Sequence, residues 1–323
     1  MLPKTTETII FLGHEIYKSE IECARQHTNL FFCWWLSCIF FAVTQWCAAP
    51  FLSGTYKSYL INGTFTDREL PYMGWFPLNT RDIYAYIFLL MLQIIGMLSC
   101  TFGIIFFDSL YISILIIIRV QFRYINMTLV ATSNLAEEQR APDALISFKT
   151  KLKNCVDCHV EIIKFLKMLQ AFASPMMFAQ CIECVLELCF TSFQASAIEL
   201  TMDKKNMIAL FKLCGYFSTA AVQLYFFCFF ATQIESLASQ IPHSVYSCGW
   251  EMMIFKQRKE PSTKKQFNND INQLVNMITI QAQRPIVLTG GPFYVLSMET
   301  FRAMMSLALS NSIMLRQLSD RDK

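Results

Sequence analysis

The chain has 323 residues, of which 54% are hydrophobic and 16% are charged, and its formal net charge is +3. Soluble domains carry about a quarter charged residues, so this chain has too little polar surface to cover a water-facing globule. A net charge this small gives no indication of nucleic-acid binding. The composition therefore predicts an all-α fold, a polytopic bundle of membrane helices.

After the N-terminal segment 1–28, residues 29–118 contain two predicted membrane-spanning helices joined by an extracellular loop at 51–82. A bilayer core requires about 20 consecutive apolar residues in a helix, and 29–50 meets that requirement. The second span, from Ile83 to Ile118, is about 54 Å long as a helix, against about 30 Å of hydrocarbon. We therefore expect this helix to project from the membrane, with Asp108 near the interface.

The segment 172–234 contains the third and fourth predicted spans. Glu183 and Glu187 interrupt the third span. Because these glutamates are four residues apart, they share one helix face, which should point at protein or water and not at lipid. The fourth span, 213–234, is uncharged and aromatic.

The fifth predicted span lies in 286–323, which ends in a short extracellular tail. Its start is predicted from the break at Gly290-Gly291-Pro292, because proline is well suited to a first helical turn. We expect the helix to run from Phe293 to about Leu315. The sequence thus predicts five spans.

The orientation of these spans follows from the loop charges. The segments 1–28, 119–171 and 235–285 lie on one side and hold 17 Lys and Arg residues, against 8 on the other side. The richer side is predicted to be cytoplasmic, which places the N-terminus inside. The glycosylation sequon at Asn62 then falls outside and is a candidate for modification, whereas the sequon at Asn126 falls inside.

The two longer inner segments are predicted to be helical and not disordered. Apolar residues recur at helical spacing over 145–166 and again over 271–278, with lysines between them in the first stretch. One interpretation is a cytoplasmic helical layer that packs subunits together. The alternative is a pair of helices lying on the inner leaflet of the membrane.

The last third of the chain contains several short motifs in a distinctive order: Ser247-Cys248-Gly249-Trp250, Gln281-Ala282-Gln283-Arg284-Pro285, Gly291, Phe293, Ser297 and Glu299-Thr300-Phe301. Together they resemble the C-terminal signature of the insect odorant receptor family. The stretch 70–77 is similar to the extracellular loop before the family's fourth helix. The family has seven spans, so this loop match makes the first span here the family's third. The resemblance therefore implies that the first two family helices are missing from this chain.

The resemblance implies an odorant-gated, non-selective cation channel in the plasma membrane, a heterotetramer with an obligate odorant co-receptor. It implies no enzyme activity and no cofactor, and its partners are an odorant small molecule and membrane lipid. Following the motif, Ile313 in the last helix would lie near the pore constriction. Depth in the membrane and side-chain chemistry suggest Trp46, Tyr86, Met91 and Tyr216 as contacts for small volatile hydrophobic ligands.

Three alternatives stay open at this point. The alternatives are a truncated, non-conducting receptor remnant, a gustatory receptor and a membrane transporter. A transporter should show inverted repeats and paired broken helices, whereas the sequence shows one helix break. The gustatory family carries a different signature in its last helix from that of 306–315 here. The pattern Cys155-x-x-Cys158-His159 resembles a haem attachment motif, and we interpret it as coincidental, with no metal or haem expected.

Overall fold

The computed structural model describes residues 4–57, 59–61, 64–65, 67–72, 74–138, 142–197, 204–256, 264–292 and 294–321. It contains seven helices in this described part: α1 Lys4–Leu52, α2 Ile83–Glu138, α3 Pro142–Ala197, α4 Lys204–Tyr246, α5 Trp250–Lys256, α6 Lys264–Ala282 and α7 Met298–Arg321. Two short antiparallel hairpins accompany them, formed by β1 Leu60–Ile61 with β2 Thr64–Phe65 and by β3 Thr289–Gly290 with β4 Tyr294–Val295. The all-α prediction is confirmed.

Four helical segments in the described residues are long and apolar enough to cross a membrane. They are Lys18–Leu52, Ile83–Ser133, Leu145–Ala195 and Asn206–Phe255. These segments contain the first four predicted spans. The fifth predicted span falls on α7, which is helical but is not one of the four, because charged and polar residues such as Glu299, Arg302 and Asn311 interrupt its apolar run.

The start of the last helix differs from the prediction. α7 begins at Met298, and the predicted first residue, Phe293, lies outside the described residues. The preceding glycines form a hairpin turn between β3 and β4 instead of opening a helix. Gly291 has φ 69°, a left-handed conformation that residues with a side chain rarely adopt, so the helix cannot begin there.

The third helix is longer than its two predicted parts. The amphipathic stretch 145–166 and the span 172–193 were expected as separate helices, and both belong to the single helix α3. Pro175 lies inside α3 without ending it. α2 likewise continues past Ile118 to Glu138, as expected for a helix too long for the bilayer alone.

The chain forms two compact units, and we name them by their described residues. Unit 1 comprises residues of 1–28, 112–181 and 226–301, and unit 2 comprises residues of 29–111, 182–225 and 302–323. The predicted cytoplasmic segments all fall in unit 1. Its core is built from apolar side chains of four helices, including Phe122, Ile125, Phe148, Leu152, Ile241, Ile271 and Ile278.

A buried asparagine joins two helices of unit 1. Asn126 on α2 is 9% exposed, and its side-chain amide donates a hydrogen bond to the Leu237 carbonyl on α4 at 2.9 Å. The Ser244 hydroxyl donates to the Asn126 side-chain oxygen at 2.8 Å. Both ends of this amide are therefore paired, so the second sequon is not accessible in the folded unit.

We expect Asn126→Leu to reduce stability by about 2–3 kcal/mol, because the substitution removes two hydrogen bonds between α2 and α4 and leaves the buried Ser244 hydroxyl without this acceptor. The thermal unfolding midpoint of the purified chain in detergent measures this loss. Asn154→Leu is the matched control, since Asn154 is exposed on α3 of the same unit. Equal losses for the two variants would show that the Asn126 hydrogen bonds contribute nothing.

Candidate functional site

Unit 2 contains a cavity of about 450 Å³. Four helices, α1 to α4, contribute to its wall, together with Tyr72 from the loop before α2. The apolar part of the wall consists of Trp35, Ile39, Ala42, Val43, Met97 and Ile104. The polar part consists of Tyr72, Gln93, Thr101, Glu183, Glu187, Tyr216, Thr219 and Gln223. The site is therefore mixed in character, with an apolar face and a polar face.

The wall that α2 contributes follows helical spacing. Its lining residues are Gln93, Gly96, Met97, Cys100, Thr101 and Ile104, three or four residues apart. Several of these side chains are small or polar, although α2 is otherwise strongly apolar. Nothing lies within 4 Å of a Cβ built on Gly96, so this glycine faces open space. This stripe is a signal that sequence reasoning missed.

Three aromatic side chains, Trp46, Tyr72 and Tyr216, contact one another beside the cavity. The Trp46 ring centroid lies 5.4 Å from that of Tyr72 and 5.3 Å from that of Tyr216. A side-chain hydrogen bond joins the two tyrosines, and burial raises the pKa of the Tyr72 phenol, so its hydroxyl is protonated at neutral pH. The Lys212 ammonium lies 3.9 Å from the Trp46 ring centroid, a cation–π distance.

Two glutamates of α3 form part of the polar wall. Glu183 and Glu187 both line the cavity, so they share one helix face, with Glu183 exposed and Glu187 partly buried in the single chain. Neither carboxylate takes part in an ion pair within the described residues of the chain. The polar wall therefore carries two carboxyl groups that no described Lys, Arg or His side chain pairs with.

Asp108, predicted to lie near the membrane interface, is buried inside unit 2. The side chain is 0% exposed, and the Gln223 amide donates a hydrogen bond to its carboxyl oxygen at 2.8 Å. The Cys184 thiol lies 3.8 Å from the other end of the same Gln223 amide. The residues that bury Asp108 come from distant parts of the chain, so the sequence around position 108 does not indicate this environment.

The structure places two of the predicted ligand contacts at the cavity and two elsewhere. Tyr216 lines the cavity, and Trp46 contacts two lining tyrosines. Met91 is 55% exposed, because it lies two residues before Gln93 and thus on nearly the opposite face of α2. Tyr86 shares the cavity face but lies two turns away, and its hydroxyl donates to the Glu69 carbonyl at 3.3 Å.

Two further predicted sites are Ile313, the pore residue, and Asn62, the glycosylation site. Ile313 is 60% exposed on α7, and Asn62 lies outside the described residues. In unit 2, Ala308 of α7 packs against Leu188 of α3 and Ala220 of α4. One face of α7 is therefore buried within the unit while Ile313 stays accessible.

Comparison with known protein families finds a match over most of the chain. The family model described as 7tm Odorant receptor matches residues 15–309. Odorant receptor 82a of Drosophila melanogaster is 23% identical over 257 residues, which are 77% of this chain and 58% of the relative. Odorant receptor 13a of the same species is 28% identical over 172 residues, which are 52% of this chain and 38% of the relative.

A coreceptor is also among the similar proteins. The odorant receptor coreceptor of Anopheles gambiae is 21% identical over 170 residues, which are 53% of this chain and 32% of the relative. The chain thus spans less than two thirds of the length of these three relatives.

A solved structure has the same fold. The insect olfactory receptor OR5 from Machilis hrabei, solved alone and in complex with eugenol, aligns with a TM-score of 0.71 at 16% identity. The alignment covers 94% of this chain and 70% of OR5. At this low identity the likeness concerns the fold alone.

Proposed function

The chain belongs to the insect odorant receptor family, and on that premise we propose that it is an odorant receptor subunit that forms an odorant-gated, non-selective cation channel with a co-receptor. The family match confirms the resemblance inferred from the C-terminal motifs. It makes the chain a multi-pass membrane protein of a receptor family and not an enzyme. The gating by an odorant, the identity of the ligand and the assembly with a co-receptor are what we propose.

The cavity of unit 2 carries this proposal, because it supplies a place for a small molecule. Its volume of about 450 Å³ lies within the usual range of ligand pockets. Its combination of apolar surface with a few polar groups is also typical of such sites. OR5 was solved in complex with eugenol, which supports a small molecule as the ligand of a protein with this fold.

The exposed apolar surface supports a membrane setting. Leu30, Phe40, Phe102 and Phe106 are each more than 60% exposed in the single chain, and all belong to predicted spans. Large apolar side chains in these positions suit contact with lipid tails. We place the protein in the plasma membrane with its N-terminus inside, where Asn62 remains the predicted glycosylation site.

α7 is the proposed pore helix. Ala308 is buried against α3 and α4, whereas Ile313, about 140° further round the helix, is 60% exposed. We propose that this exposed side meets the co-receptor and other subunits around a pore, with Ile313 near its narrowest point. Similarity to odorant receptor coreceptors supports such an assembly.

Odorant-evoked current tests the proposal directly. The chain is expressed with an odorant co-receptor, and cation current is recorded while a panel of volatile odorants is applied. For an active odorant, Tyr216→Ala should raise the half-maximal concentration about tenfold, because the cavity loses an aromatic wall. Tyr84→Ala is the matched control, since Tyr84 is 80% exposed and does not line the cavity.

Two results would contradict different parts of the proposal. Absence of current, despite surface expression of both chains, would favour the non-conducting alternative. A current that Tyr216→Ala and Tyr84→Ala leave equally unchanged would mean that the odorant binds outside this cavity.

A further inference from the structure

The polar wall of the cavity contains two carboxyl groups and no basic side chain. Glu183 and Glu187 lie one turn apart on α3, and both side chains line the cavity. No Lys, Arg or His is among the described residues that line it. Glu187 is partly buried, whereas Glu183 is exposed in the single chain. Carboxyl groups at this spacing share one helix face, so one ligand can contact both.

A basic side chain of unit 2, Lys212, contacts the aromatic group beside the cavity. Lys212 lies over the Trp46 ring, at 3.9 Å from the ring centroid, and is not part of the cavity wall. Carboxylates within membrane segments are normally paired with a cation or lie at a functional site. In the described part of unit 2 the cavity carboxylates have no such cation, so the missing positive charge is one that a ligand can supply.

The rest of the wall is also suited to a cation. Trp35, Tyr72 and Tyr216 line the same cavity, and the faces of aromatic rings attract positive charge. Trp35 is 1% exposed, and its indole N–H has no hydrogen-bond partner among the described residues, so it can donate to an acceptor atom within the cavity. The cavity thus combines carboxylates, aromatic rings and an apolar face around one volume.

We propose that the ligand of this cavity is a small protonated amine with an aromatic or aliphatic body. Its ammonium group donates hydrogen bonds to Glu183 and Glu187, and its apolar body packs against Trp35, Ile39 and Tyr216. This inference rests on the proposed function in taking the cavity as the ligand site. It narrows the expected ligands from volatile hydrophobic molecules in general to those that carry a positive charge.

Direct binding to the purified chain in lipid nanodiscs tests this proposal without requiring a conducting channel. The probes are 2-phenylethylamine and 2-phenylethanol, which have nearly the same shape and differ in charge. The amine should bind about tenfold more tightly than the alcohol, because charge-assisted hydrogen bonds are about twice as strong as neutral ones.

Variants assign the preference to the two glutamates. Glu187→Gln and Glu183→Gln should each weaken amine binding several-fold, and the double variant should bind the two probes equally. Alcohol binding should be unchanged in each variant, which shows that the cavity is still folded. Glu161→Gln is the matched control, because Glu161 lies on α3 outside unit 2 and pairs with Lys164 at 3.0 Å.

Each outcome decides the proposal. Equal affinity for the two probes, binding of neither, or an amine preference that survives in the double variant would overturn it. Amine binding without current in co-expressing cells would leave this inference standing and remove the channel proposal. Current evoked by neutral odorants, with no amine preference in binding, would overturn this inference and leave the channel proposal standing.

Discussion

Gly291→Ala is expected to destabilise the protein by about 2–4 kcal/mol, because two costs are combined at this position. Gly291 has φ 69°, so any side chain there strains the backbone. An added Cβ would also lie 2.8 Å from ring atoms of Phe178. Thermal unfolding of the purified chain in detergent measures the loss.

The position of Gly291 explains why this variant should also affect gating. Its backbone N–H donates to both the carbonyl and the hydroxyl of Ser174, at 3.1 and 3.0 Å, in α3 just before Pro175. The Gln170 amide donates to the Thr289 hydroxyl at 2.6 Å in the same region. The hairpin that precedes α7 is therefore held against α3, and we expect Gly291→Ala to abolish the odorant response.

Gly54→Ala separates the two costs. Gly54 has φ 76°, but nothing lies within 4 Å of a Cβ built there. Only the backbone strain therefore applies at Gly54. We expect this control to lose about 1 kcal/mol. If the two alanine variants unfold at the same temperature, the contact with Phe178 has no role in fixing the hairpin.

Gln223→Leu is expected to destabilise the protein by about 2–3 kcal/mol, because it removes a hydrogen-bond donor from the buried carboxyl group of Asp108. The substitution preserves approximate volume, so little of the loss comes from packing. Unfolding of the purified chain is again the measurement.

Gln93→Leu is the matched control for this prediction. Gln93 also lines the cavity, but its amide exchanges hydrogen bonds with the exposed backbone of Tyr72, at 3.0 and 3.1 Å. Water can replace those bonds, so the loss should stay below about 1 kcal/mol. In an Asp108→Asn background, Gln223→Leu should cost less than in the natural chain. A cost that the Asp108 substitution leaves unchanged would mean that this hydrogen bond does not stabilise unit 2.

Much of the helical architecture is predictable from local sequence. An apolar run of sufficient length forms a helix that can cross a bilayer wherever it occurs, so the four long segments were found without tertiary information. The shared face of Glu183 and Glu187 was likewise predictable, because spacing of four residues sets direction on any helix. The C-terminal motifs were sufficient to suggest the family, which the match over 15–309 confirms.

The remaining features depend on contacts between residues far apart in the chain. Asp108 stands in an otherwise uncharged stretch of sequence, and its hydrogen-bond partner Gln223 lies more than a hundred positions later in the chain. Tyr86 and Gln93 share a face of α2, yet only Gln93 reaches the cavity, since the loop before α2 covers Tyr86. The Gly290-Gly291-Pro292 break predicted the start of the last helix. In the structure β3 and β4 pair across this break, and α7 begins only at Met298. Hydropathy and helical period act over one or two turns and carry no information about which distant segment packs alongside, so the cavity and its unpaired carboxylates emerged only in three dimensions.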